Sequence, residues 1–190
     1  MKPLNMKTPI TILAFIGLLI PTLTTAQERY GSRTGHVAFR SETPLENIEA
    51  NNYKAASVYD ATSGALEFSV LIKGFEFEKA LMQEHFNENY MESNTYPKAV
   101  FKGKVVGITA ADLKKPGKYD VTVEGDLTMH GVTRKITEKG AISVEPTGAV
   151  KAESQFNVKA EDYTIEIPSV VRKQIAEQIQ VKVRIDYQKM

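Results

Sequence analysis

Between Tyr119 and Ile142 the chain alternates apolar and polar residues on both sides of a His130-Gly131 turn, and this pattern constrains the fold more than any other. Tyr119, Val121, Val123, Leu127 and Met129 share one parity, while Asp120, Thr122, Glu124, Asp126 and Thr128 share the other. Successive side chains of a strand point to opposite faces, so this is a strand with one buried face. Val132, Arg134, Ile136, Glu138 and Ile142 repeat the pattern on the return, and the two segments read as an antiparallel hairpin. Arg134 and Glu138 fall among the aliphatic residues of its inner face unless a bulge intervenes.

The same period recurs along the chain. A short first strand starts at His36 with Val37 and Phe39 on one face, and a second runs through Ile48 to Asp60. After the Ala61-Thr62-Ser63-Gly64 turn, Leu66, Phe68, Val70 and Ile72 alternate cleanly. Ala99, Phe101, Gly103 and Val105 form another inner face; Val150 to Val158 and Ile179 to Tyr187 give two more, the latter through Val181, Val183 and Ile185. The period changes twice. Phe77, Leu81, His85, Phe86 and Tyr90 recur at helical spacing, which predicts one amphipathic helix ending before Pro97. Val171, Ile175 and Ile179 keep a helical step after Pro168, with Ser169 as N-cap of a second short helix. Long antiparallel strands with one apolar face, and too few helices to cover an open sheet, are satisfied by closing the sheet on itself. The predicted fold is all-β with one or two short helices, an antiparallel closed barrel of about eight strands. Such an interior is filled by side chains or holds one small ligand; the absence of Trp and the inward Ala99, Gly103, Gly125, Gly140 and Ala152 are compatible with a cavity.

Residues 1–26 read as a secretory signal peptide: Lys2 and Lys7 precede an apolar run from Ile10 to Leu23, and Thr24-Thr25-Ala26 supplies small residues for cleavage. The run is shorter than the roughly 20 residues of a spanning helix and carries Pro21, so stable membrane insertion after cleavage is not expected. With no cysteine there is neither a lipidation site nor a disulfide framework. Residues 27–190 then make a single domain, exported to the periplasm or beyond. Removing Lys2 and Lys7 from 24 basic residues set against 23 acidic ones leaves a nearly neutral, interspersed surface, which argues against nucleic acid as a partner. Patterning leaves the oligomeric state open, a homodimer included.

Candidate chemistry is sparse. The three histidines, His36, His85 and His130, share no ligand spacing, so neither a metal nor another cofactor is expected. Glu84, Glu88 and Glu92 recur at steps of four on one helix face, the pattern of a solvated surface. No nucleophile elbow, phosphate-cradling loop or Cys nucleophile is present, and no catalytic residue is assigned. Arg134 and Glu138 are the sharper candidates. Four residues apart on a strand they stand about 13 Å from each other, so each needs another partner. Arg134, near a barrel end, either meets a ligand's polar head group or pairs with an acid of a neighbouring strand; a bulge would return both to solvent.

Two segments resemble the YceI-like family. Gly125-Asp126-Leu127-Thr128-Met129-His130-Gly131-Val132-Thr133-Arg134 is similar to its Gly-x-Leu-Thr-x-x-Gly-Val-Thr signature followed by a basic residue, and Tyr96-Pro97-Lys98-Ala99-Val100-Phe101 to its Tyr-Pro-x-x-x-Phe element. The likeness runs in order through nearly all of residues 27–190. It implies a lipocalin-like barrel with an elongated apolar cavity for a polyisoprenoid or other long-chain amphiphile, and no catalysis. On that reading the lining is Leu66, Phe68, Val70, Phe101, Tyr119, Val121, Val123, Leu127, Ile136, Val181, Val183 and Ile185, with Arg134 as head-group contact. The competing reading is a filled barrel acting as a structural or protein-interaction module. The chain departs from the family where many relatives carry Asp-x-x-His-Ser and Arg-x-Asp-Phe-Gly. Here stand Gly35-His36-Val37-Ala38-Phe39 and Ala160-Glu161-Asp162-Tyr163-Thr164-Ile165, which with the altered Leu81–Tyr90 segment mark a divergent branch.

Overall fold

The computed structural model describes residues 27–190; the proposed signal peptide lies outside them. Eight long strands close into an antiparallel barrel: β1 (Arg29–Glu42), β2 (Asn47–Asp60), β3 (Ala65–Leu71), β5 (Lys98–Val106), β6 (Gly117–Met129), β7 (Val132–Val144), β8 (Val150–Val158) and β9 (Ile179–Lys189). The order around the wall is β1-β9-β8-β7-β6-β5-β3-β2, and β2 closes back onto β1. A two-residue strand, β4 (Glu76–Phe77), pairs with Ala50 and Asn51 of β2. The first strand starts seven residues before the expected His36, and irregular register between Ser32 and Val37 lets it bend around the barrel corner.

The β6–β7 hairpin is continuous from Gly117↔Val144 to Met129↔Val132, so no bulge returns Arg134 or Glu138 to the outer parity. At its tip His130 (φ 50°) and Gly131 (φ 74°) both take the left-handed conformation that a two-residue hairpin of right-twisted strands requires. The tip is clamped from the side. The ring of Tyr96 meets His130 edge-on at 4.7 Å between centroids, and a Cβ on Gly131 would lie 2.8 Å from the same Tyr96 ring. The two recognisable sequence motifs are therefore one packing unit.

The helical segments are shorter than the periodicity suggests. α1 spans Ala80–His85 and continues as a wider π turn over Phe86–Tyr90, while Phe77 belongs to β4. A mixed stripe spaced like one long helix is thus split between a strand and two helical turns. The segment after Pro168 forms turns rather than the expected helix with a Ser169 cap. It is pinned instead at its far end, where Ala176 N–H donates to Ser41 Oγ at 2.8 Å.

Candidate functional site

A cavity of about 400 Å³ lies inside the barrel, with lining residues from all eight long strands. Its size is in the range of small-molecule sites. Two features of the sequence keep it open. Gly103 and Gly125 face each other across β5 and β6, and a Cβ on Gly125 would stand 2.4 Å from the Lys102 carbonyl oxygen and 2.9 Å from the tip of Phe101. The missing side chains let Phe101 lie against the wall instead of crossing the lumen. The remaining inner positions are mostly Val, Ile, Leu and Ala, too short to meet at the centre. At one end Phe39, Phe75, Phe77 and Phe86 pack with ring centroids 5.0–5.7 Å apart beneath the α1 segment. The opposite end is filled by a separate core around Tyr30, Leu113, Val144 and Val150.

Leu66, Phe68 and Val70 of β3, Phe101 of β5, Val121, Val123 and Leu127 of β6, Ile136 of β7, and Val181, Val183 and Ile185 of β9 all line the cavity. Tyr119 does not. Although it has inward parity, it stands near the end of β6 where the filled core has replaced the lumen, and its hydroxyl donates to the Lys115 carbonyl at 3.0 Å. Arg134 lies outside the lining as well. Its Nε donates to the backbone carbonyl of Asp162 at 2.8 Å, and among the described residues no acidic side chain pairs with it.

That bond crosses a break in the wall. β7 pairs with β8 only from Val144↔Val150 to Gly140↔Ser154, after which the two strands part. The short helical turn Ala160–Tyr163 fills part of the opening, held by Arg134 and by His130, whose Nδ1–H donates to the Tyr163 carbonyl at 3.1 Å. Glu138 lines the cavity at this break, opposite the place that Phe156 would take had the register continued. Burial pushes its carboxyl above the ordinary carboxylate range.

Further polar groups lie at the lumen's deep end. Tyr187 and Ser57 share a hydrogen bond of 2.7 Å, and burial pushes the Tyr187 and Tyr59 hydroxyls up to about 12, which keeps both protonated. The histidines stay apart. His36 stacks on Tyr53 and bonds Asn51, His85 borders the cavity beneath α1, and His130 serves the hairpin tip. Glu84, Glu88 and Glu92 are exposed. Sequence reasoning placed the inner face of Ile179–Tyr187 along the cavity but did not place Phe39, Phe75, Tyr59 or Ile165 in the lining. For Tyr59 the signal was present, since it ends an alternating run.

Fold and site define a closed antiparallel barrel around an apolar internal cavity, the lipocalin-like class. The YceI-like domain matches residues 25–187, and the chain belongs to that family. A polyisoprenoid binding domain from Saccharophagus degradans, implicated in plant cell wall breakdown, superposes with a TM-score of 0.74 at 15% identity, covering 87% of this chain and 100% of that one. BcnA of Burkholderia cenocepacia gives 0.66 at 15% identity over 81% and 96% of the two chains. A YceI protein of Campylobacter jejuni gives 0.56 at 13% identity over 97% and 99%. Among curated proteins no sequence match is found.

Proposed function

We propose that the protein is an exported, non-enzymatic carrier or sequestering protein that holds a polyisoprenoid or another long-chain amphiphile within its barrel. The observation that carries this reading is the apolar cavity itself, lined from every long strand. A filled barrel serving only as a scaffold would lack it. Each methylene transferred from water into such a lumen contributes about 0.8 kcal/mol, so a long chain is held without any strong polar contact. The polyisoprenoid-binding description of the Saccharophagus domain supports the ligand class. The basic, apolar and small-residue succession over residues 1–26 supports export.

The reading is tested by filling the lumen. Val183 lines the cavity and is only half-buried despite its inward parity. Val183→Trp is expected to keep the cooperative melt of the barrel while uptake of an offered prenol such as geranylgeraniol falls at least tenfold. Unchanged uptake by a folded Val183→Trp variant would place binding elsewhere.

A further inference from the structure

The charged side chains around the cavity are of one sign. Glu46, Glu138 and Glu153 border it, whereas no Lys or Arg does among the described residues. Two of the three carboxylates are answered from outside: Glu46 by Lys79 Nζ at 3.1 Å and Glu153 by Arg184 Nε at 3.8 Å. Glu138 has no ion pair or hydrogen bond to any described residue. The nearest cation on the same face of its strand, Arg134, stands about 13 Å away and is engaged by the Asp162 carbonyl, while Lys139 and Lys135 take the opposite, outer parity. Across the break, Ser154 Oγ donates to the Lys139 carbonyl at 2.8 Å, leaving the oxygen's lone pairs as acceptors. Glu138 and Ser154, the polar side chains that line this part of the wall, therefore offer acceptors and negative charge, in a lumen whose lining is otherwise mostly hydrocarbon.

Resting on the carrier reading, we infer that the break between β7 and β8 is the head-group subsite of the cavity, and that it takes an uncharged or cationic hydrogen-bond donor on a long apolar chain. A primary alcohol or an ammonium group would donate to the Glu138 carboxylate. A phosphate, diphosphate or carboxylate would approach that carboxylate with no Lys or Arg among the lining residues to answer either charge.

The test uses one chain with three ends: geranylgeraniol, geranylgeranylamine and geranylgeranyl diphosphate, each titrated against the purified protein by displacement of N-phenyl-1-naphthylamine. The alcohol and the amine are expected to bind at least tenfold more tightly than the diphosphate. Glu138→Gln, which keeps the side chain's shape, is expected to weaken the amine more than the alcohol and to narrow the gap to the diphosphate. Equal or tighter binding of the diphosphate, or a preference unchanged in Glu138→Gln, overturns this assignment and leaves the carrier reading standing. Binding of none of the three overturns the carrier reading and this assignment with it.

Discussion

Strand β7 has two neighbours and pairs with them to very different extents. Toward β6 it is bonded across thirteen positions without a bulge, and toward β8 across five before the strands separate. On the first side the wall is set by a tight turn and by cross-strand packing, and its inner face is simply apolar. On the second side side-chain bonds to a separate turn replace the ladder: Arg134 and His130 hold the Asp162 and Tyr163 carbonyls, and Glu138 stands where strand pairing has lapsed. The continuous side supplies shape. The interrupted side carries Arg134 and Glu138, and on the proposed carrier role this division would let one wall set the shape of the lumen and the other meet one end of its contents.

The contrast is broken most severely on the continuous side. Gly125→Ala places a Cβ 2.4 Å from the Lys102 carbonyl oxygen, backbone that cannot swing aside. A loss of about 3 kcal/mol is expected in urea unfolding, and a loss below about 1 kcal/mol would show that the wall yields. On the interrupted side Arg134→Ala removes a single charge-assisted bond. It is expected to cost about 1 kcal/mol and to speed amide exchange in residues 160–164 while exchange in β6 is unchanged. Uniform acceleration throughout the barrel would deny the break any independence.

The smallest effect concerns Glu138. Its carboxyl is held above the ordinary range by burial, so the ionised form is disfavoured in the folded state. The group's favourable contribution is therefore complete below the unfolded carboxylate range and is lost as pH rises through the raised folded value. Glu138→Gln should stabilise the protein relative to the unmodified chain at pH 7 and not at pH 4, by less than the Arg134 effect. Equal differences at both pH values would mean that the carboxyl is not desolvated.

The same comparison explains how far the sequence could be read. Side-chain alternation reports which face a residue takes, and it placed the inner faces of β3, β5, β6 and β9 correctly because those strands are paired along their length. It does not report where along the barrel axis the lumen ends. Tyr119 and Arg134 both have inward parity, yet one lies in the filled end and the other reaches the turn at the break. Nor does it report when two strands part, because Phe156 and Val158 keep their period after β8 has left β7. Val171 and Ile175 do reach the cavity, but from turns, since burial of a few apolar side chains does not demand a helix. The π turn at Phe86–Tyr90 carried no periodic signature of its own.

The central claim is that the lumen holds a long-chain amphiphile, and the most direct measurement is mass spectrometry of the organic extract from protein purified under native conditions and then denatured. The account predicts close to one long-chain amphiphile per protein, recovered again when stripped protein is offered a prenol. Extract free of lipid, together with no uptake of the offered chain, would contradict it.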